Sequence, residues 1–284
     1  MTSTSDSGSM THAESGSPAQ DASPTVGEQP ENGCARSSIS LAGRTALVTG
    51  AARRVGAAIV RALHAAGANV VIHCHRSLGE ARSLAAELER ARADSTAVAV
   101  ADLLDVEALP ALVEAATARF GALHLLVNNA SSFYPTPLGQ MTAAQWEDLF
   151  GTNLRAPLFL VQAAADALRR SRGSVINLVD IHGQRPLRDH VIYCTAKAGL
   201  IMLTRALARE LAPEVRVNAI APGAILWPET GMDEARKQRI TAQTPLQRHG
   251  SPQDIARAVL FFSAEAPFVT GQVLAVDGGR SVGW

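Results

Sequence analysis

The sequence predicts a single α/β domain built on one doubly wound parallel sheet of about seven strands, with helices on both faces. Three observations predict it. Short β-branched runs alternate with Ala-rich segments of 3.6-residue periodicity from Leu41 onward, as βαβ units do. The first run is followed by a glycine-bearing turn and a helix start, Thr49-Gly50-Ala51-Ala52-Arg53-Arg54-Val55-Gly56. No Pro/Gly/Ser-rich linker divides residues 41–284, and no tandem repeat occurs at solenoid spacing.

In chain order the expected strands are Thr45–Thr49, Asn69–His73, Thr96–Val100, Leu123–Asn128, Ser174–Leu178, Arg216–Ile220 and Gln272–Val276. Helical patterns lie between them at Val55–Ala66, Ser77–Ala93 and Val106–Phe120, and later from Tyr193 onward and over Ser251–Phe262. Residues 1–38 are of another kind. Val26 is the only aliphatic there larger than Ala, apart from Met1 and Met10, so this tail is expected to be disordered, with the folded domain at 39–284. The tail has neither the apolar run of a secretory signal nor the Arg content of a transit peptide. No stretch approaches eighteen consecutive apolar residues, so no membrane span is expected.

Lys and Arg together number 26, as do Asp and Glu, and this zero net charge gives no reason to expect nucleic acid or an anionic membrane as a partner. Cys34, Cys74 and Cys194 are odd in number and lack metal-ligand spacing. They suit a reducing compartment, and a cytoplasmic location is expected.

The glycine turn lets backbone amides and a helix N-terminus approach a pyrophosphate, which places a dinucleotide against Gly50, Arg53, Arg54 and Val55. The spacing lacks a middle glycine, and Arg54 stands there instead, adding positive charge beside the phosphates. After the second strand comes His75-Arg76-Ser77, where an NAD enzyme would carry an acid for the ribose hydroxyls. Arg76 and Ser77 suit a 2′-phosphate, so NADPH is the expected cofactor; a solvated Arg at a helix start is the alternative. His73 and His75 share one face with no third ligand in view, so no metal is expected. Asp102 and Leu103 follow the third strand and are candidates for the adenine rim; Asn129 and Ala130 end the fourth beside the same cofactor.

Ser131-Ser132-Phe133-Tyr134 puts two hydroxyls and two rings at the carboxyl edge of the sheet. A ring beside a nicotinamide suits a flat heterocyclic substrate; Phe133 as a cap on the core is the bland alternative. Tyr193 and Lys197 are four apart and share a helix face. An ammonium there is expected to lower the phenol pKa and make Tyr193 a proton donor matched to hydride transfer. Asp180 ends the fifth strand, and Asn153 is a candidate anchor for a water near Lys197. A carboxylate at Asp180 would oppose negative charge growing on a carbonyl oxygen but suits transfer to nitrogen, favouring a C=N bond. Arg185, Arg188 and His190 are read as solvated loop residues. Trp227 either flanks the substrate or packs between subunits.

Thr49-Gly50, Asn128-Asn129-Ala130, Asn153, Tyr193, Lys197, Pro222-Gly223 and Asp277-Gly278-Gly279 fall in the order of a short-chain dehydrogenase/reductase, which residues 41–284 resemble. Arg54, His75-Arg76-Ser77, Ser131-Ser132-Phe133 and Asp180 further resemble the pteridine reductases. That resemblance implies a Rossmann-like fold, with Phe133 sandwiching a pterin against the nicotinamide and Ser131 touching both ligands. It implies a proton relay through Asp180 and Tyr193, with Arg54 and Trp227 also at the substrate and Pro222 and Gly223 at the cofactor. It also implies a homotetramer in which Trp284 reaches a neighbour's site. Two other readings stand beside it: a carbonyl reductase of another substrate, against which Asp180 speaks, and a non-catalytic NADPH-binding protein, against which Tyr193 and Lys197 speak.

Overall fold

The computed structural model describes residues 39–227 and 233–283. The tail expected over residues 1–38 lies outside them, as does Trp284. β1 (Thr45–Val48) leads through the glycine turn into α1 (Arg54–Ala65), followed by β2 (Asn69–Cys74), α2 (Leu78–Ala91) and β3 (Thr96–Val100). A 3-10 turn at Val106–Ala108 opens α3 (Leu109–Phe120), which returns to β4 (Leu125–Asn128). α4 (Ala143–Phe150) continues through a π turn at Gly151–Arg155 into α5 (Ala156–Ser171). β5 (Ser174–Leu178), α6 (Val191–Glu210), β6 (Arg216–Pro222), α7 (Glu234–Ala242), α8 (Pro252–Leu260) and β7 (Val273–Val276) complete the described chain.

Among the described residues, seven strands form one parallel sheet in the order β3-β2-β1-β4-β5-β6-β7. The expected α/β fold is therefore observed. The order reverses between β1 and β4, so the crevice outside their carboxyl ends is where such a sheet binds a ligand.

Side-chain alternation builds a core on each face. Ala46, Val48, Val70 and Ile72 point to one side, against Ile59, Val60 and Leu63 of α1 and Ile255 and Val259 of α8. Leu47, Val71, Leu126 and Val175 point to the other, against Leu109 and Leu112 of α3 and Leu160 and Leu168 of α5. Truncating a fully buried leucine such as Leu63 or Leu168 would cost about 2–5 kcal/mol.

Local chemistry explains where elements start and stop. Thr142 and Ser251 cap α4 and α8 in reciprocal capping boxes with Gln145 and Asp254. Gly121 ends α3 in the left-handed conformation, and Pro110 sits in that helix's first turn, so the helical pattern expected from Val106 opens as a 3-10 turn. The helix expected over Ser251–Phe262 becomes a π turn at Phe261–Glu265. β6 runs two residues past expectation because Ala221 and Pro222 pair with Ala275 and Val276 of β7.

α6, 20 residues long, is long and apolar enough to cross a membrane, with mean hydropathy 1.4 over an 18-residue stretch. Here half of that stretch is buried within the protein. A polar ladder pins it: the Asn128 amide donates to Asn177 (2.8 Å), whose own amide donates to the Thr204 hydroxyl (2.9 Å). All three are buried. Removing one member would strand a buried partner, at about 1–3 kcal/mol. The ladder fixes α6 against β4 and β5, and with it Tyr193 and Lys197.

Candidate active site

A cleft of about 820 Å³ follows the carboxyl edge of the sheet. At one end the chain backbones touch. Gly50 has φ +59°, and a Cβ there would sit 2.9 Å from the Ala130 Cα; a Cβ on Gly56 would collide with the Gly50 carbonyl and with the Asn129 amide at 2.7 Å. Asn129 spans the turn, donating to the Thr49 and Gly50 carbonyls. Arg54 keeps the left-handed conformation (φ +54°) that favours glycine. Holding an L-residue there costs about 1–2 kcal/mol, in exchange for a guanidinium at the first turn of α1. Arg54 also donates to the Trp227 carbonyl at 3.4 Å.

His73 braces this turn from below. Its Nδ1 accepts from the Gly50 N–H (3.1 Å), and its Nε2 lies 3.2 Å from the Ala101 carbonyl, to which it donates. The ring is 1% exposed, and burial pulls its pKa from 6.5 to about 4. It is therefore a neutral strut rather than a ligand. Among the described residues no cluster could hold a metal. His75, Arg76, Ser77, Asp102 and Leu103 line the cleft beyond it, with His75 3.9 Å from the Asp102 carboxylate. Arg53 lines it too while paired with Glu80 at 3.4 Å.

At the other end Asp180 caps the short turn Ile181–Gly183, accepting from the His182 N–H (2.8 Å). Its second oxygen accepts from the Tyr193 hydroxyl at 2.8 Å. Lys197 is 2% exposed and donates to the Leu178 carbonyl at 2.8 Å, its ammonium 5.8 Å from the centre of the Tyr193 ring. Burial draws its pKa down to about 8, opposed by the Asp180 charge. The expected lowering of the Tyr193 pKa is not what the site produces. Burial first, then the adjacent Asp180 carboxylate, push the phenol well above its ordinary value, so Tyr193 is a held neutral donor.

Asn153 lies in the π turn after α4 and is held by three side-chain hydrogen bonds. Its side chain accepts from the Ser131 hydroxyl (2.7 Å) and donates to the Ser132 and Leu149 carbonyls (both 2.9 Å). The Ser131–Ser132 loop is thereby fixed beside Tyr193. Asp148 braces the same loop, accepting from the Ser132 hydroxyl (3.2 Å) and the Tyr134 phenol (2.8 Å). The phenol is pushed up to about 12 by burial and then by this carboxylate.

Phe133 stands at the rim, half exposed, with its edge to Tyr193 and its face stacked on His190 (4.8 Å, 18°). His190 is thus buried beneath a ring rather than solvated. Trp227 lies edge-on to His249, ring centres 5.5 Å apart.

Comparison with known proteins decides the family. The family model described as enoyl-(acyl carrier protein) reductase matches residues 50–281. The chain belongs to the short-chain dehydrogenase/reductase family. It is 38% identical over 278 residues to pteridine reductase 1 of Leishmania tarentolae, covering 84% of this chain and 96% of that one. It is 36% identical to the 3-oxoacyl-(acyl-carrier-protein) reductase FabG of Staphylococcus aureus, over 83% of this chain and 97% of the relative. L-fucose dehydrogenase of Mus musculus is 36% identical, over 85% and 90%.

This short-chain dehydrogenase/reductase is accordingly an oxidoreductase that uses a nicotinamide nucleotide. Most residues singled out from sequence line this cleft: Gly50, Arg53 to Val55, His75 to Ser77, Asp102, Leu103, Asn129 to Ser131, Asp180, Tyr193, Lys197, Pro222 and Gly223. Phe133 and Trp227 stand outside that lining. Sequence reasoning passed over Asp148, Thr152, Leu178, Val179 and Ile225, which do line it. Leu178 and Val179 were available as the end of a strand leading to Asp180. Asp148 sits in an ordinary amphipathic helix and gave no signal.

Proposed function

We propose that this protein is an NADPH-dependent pteridine reductase acting on a C=N bond of a dihydropterin, with oxidised pterin or dihydrofolate as further substrates. The observation that carries the reading is the Asp180–Tyr193 hydrogen bond. A short-chain reductase acting on a carbonyl needs donors at this point, whereas a carboxylate sharing a proton with a phenol suits delivery to nitrogen. The similarity to a pteridine reductase across 84% of the chain supports the same reading.

The residues present fit the cofactor. Gly50 and Gly56 leave a cradle that side chains would fill, the N-terminus of α1 opens onto it, and Arg53, Arg54 and Arg76 supply charge for phosphates. Val55, His75, Ser77, Asp102, Leu103, Asn129, Ala130, Ser131, Pro222 and Gly223 complete the set, with Tyr193 and Lys197 at the nicotinamide end. When bound, NADPH supplies the hydride.

The chain's own residues manage the proton. Burial disfavours a Tyr193 phenolate, and a phenolate beside a carboxylate is worse still. The Tyr193 phenol, held on the Asp180 carboxylate, would therefore give its proton to the ring nitrogen, and solvent would replace that proton after turnover. Lys197 offsets the negative charge left behind. Phe133 offers a stacking face to a flat ring, and its backing by His190 limits the orientations it adopts. We further infer a homotetramer in a reducing, cytoplasmic setting.

Following NADPH oxidation against oxidised pterin, dihydropterins, dihydrofolate and simple ketones tests the reading. Pterin turnover is expected. Ketone reduction alone would establish the carbonyl-reductase alternative, which relatives of nearly equal identity keep in play. Inactivity on the whole panel would leave a binding protein.

A further inference from the structure

One carboxylate grips the chain on both sides of the ring at the rim of the cleft. Asp148 stands near the end of α4, half-buried, and lines the cleft. Its Oδ1 accepts from the Ser132 hydroxyl (3.2 Å) and its Oδ2 from the Tyr134 phenol (2.8 Å). The residue between those two is Phe133. Each arm is itself anchored. The Ser132 hydroxyl also reaches the Thr152 hydroxyl at 3.4 Å, and its carbonyl accepts from Asn153. Tyr134 packs into the small apolar cluster of Leu149, Ile192, Tyr193 and Cys194. Burial and the Asp148 carboxylate push its phenol up to about 12, so it stays a donor throughout the neutral range.

Phe133 has no such anchor of its own. It is half exposed, and its ring meets His190 by its face and Tyr193 by its edge. Contacts of that kind are weak beside the entropy of ordering the backbone that carries the ring. Hydrogen bonds to an ionised acceptor are roughly twice as strong as neutral ones. Two of them, one on each flanking side chain, turn Ser132 and Tyr134 towards α4 and leave Phe133 facing His190 and the rim. Both oxygens of Asp148 are spent on this loop, so its part is to hold rather than to exchange protons. The turn after β1 is held by other groups, Asn129 and His73.

We propose that Asp148 is a positioning residue for the reaction: by gripping Ser132 and Tyr134 it sets the plane of Phe133, and so the pitch of the slot that a flat substrate ring enters. The proposal rests on the pteridine reading above and deepens it. It makes substrate affinity, and not cofactor affinity, the quantity that Asp148 controls, and it makes that control act entirely through Phe133.

The test is a double-mutant cycle on the full-length protein, with 7,8-dihydrobiopterin as substrate and NADPH as cofactor. Asp148→Ala is expected to raise the dihydrobiopterin KM by about tenfold, with the NADPH KM held within about twofold. In a Phe133→Ala background the same change should raise the dihydrobiopterin KM by less than about twofold, because the ring it positions is gone. Asp148→Asn should recover most of the loss, since an amide keeps an acceptor for the phenol and offers a donor to the serine hydroxyl. Tyr134→Phe removes one arm and leaves the ring in its apolar cluster, so it serves where Asp148→Ala does not fold; a KM rise of about threefold is expected, again absent without Phe133. Equal losses with and without Phe133 would overturn the proposal, as would a parallel rise in the NADPH KM, which marks general loosening. An Asn variant as impaired as the Ala variant would show that the charge acts by itself and would also overturn it. Any of these results with Phe133→Ala alone still raising the dihydrobiopterin KM sinks this proposal and spares the pteridine reading, whereas a wild type that does not turn over dihydrobiopterin sinks both.

Discussion

His73 ties acid sensitivity to cofactor binding, and the size of the effect follows from the structure. Its Nδ1 must stay unprotonated to accept from the Gly50 N–H, while its Nε2 donates to Ala101. Burial is the largest influence on its pKa. The Ala101 carbonyl opposes it, His75 adds to it, and Asp102 opposes it, leaving a value of about 4 against an ordinary 6.5. Above pH 6.5 the ring is neutral folded or unfolded, and the full stability is present. Between 6.5 and about 4 the unfolded chain takes up a proton that the folded chain refuses, so stability falls as pH falls. At 1.36 kcal/mol per pH unit the loss reaches about 3 kcal/mol by pH 4. For a domain this size that is roughly 6–12 °C in Tm. The perturbation is His73→Asn, whose side-chain oxygen can occupy the acceptor position of Nδ1 but cannot be protonated in this range. Thermal unfolding of wild type and variant is followed from pH 7.5 to 4. Other titrating groups are common to both chains and cancel in the difference. The Tm of wild type relative to the variant should fall by roughly 6–12 °C on acidification, with nucleotide affinity falling alongside, because a protonated ring would turn an N–H against Gly50. A Tm difference constant across the range would refute the reasoning.

Three further outcomes are expected. Asp180→Ser should cut pterin turnover by roughly 10²–10⁴, as should Tyr193→Phe, and the double variant should lose less than the product of the two because both serve one relay; a serine variant at full pterin activity would show Asp180 to be incidental. Arg76→Ala should raise the KM for NADPH far more than that for NADH, and equal use of both cofactors by wild type would contradict the 2′-phosphate assignment. Phe133→Ala should weaken pterin binding by roughly 1–3 kcal/mol, measured by quenching in the binary NADPH complex, and unchanged affinity would return Phe133 to a rim contact.

The sheet was legible because its signal is periodic and repeated. Each strand carries several buried aliphatics, so an error at one end, as at Leu123 or Ala221, moves a boundary without moving the strand. The turn after β1 was legible because close backbone approach leaves few options besides Gly50 and Gly56. What stayed hidden are contacts between segments distant in sequence. Nothing in a helix reading Gln145-Trp146-Glu147-Asp148 announces that Asp148 will brace a loop fourteen residues earlier through Tyr134. His190 looked solvated because its loop is polar, yet Phe133 covers it. Asn153 was found by its place in the chain, but its partners were not, since they depend on how a π turn aims one side chain.

The Tyr193 pKa shows why spacing alone misleads about chemistry. A spacing of four from Tyr193 to Lys197 does bring an ammonium near the phenol, and in isolation that charge would favour phenolate. Two facts outweigh it. The phenol is 4% exposed, and a carboxylate lies 2.8 Å from its oxygen, nearer than the ammonium, which is 5.8 Å from the ring centre. At equal screening the nearer charge prevails, since the interaction falls with distance, and burial penalises the phenolate whichever charge is nearer. The acid in this site is therefore the Tyr193 phenol, kept protonated by burial and by the carboxylate it donates to. A serine at Asp180 would take away the carboxylate that orients the Tyr193 phenol and keeps it protonated, which is why restoring the residue commoner in the wider family should impair this enzyme rather than improve it.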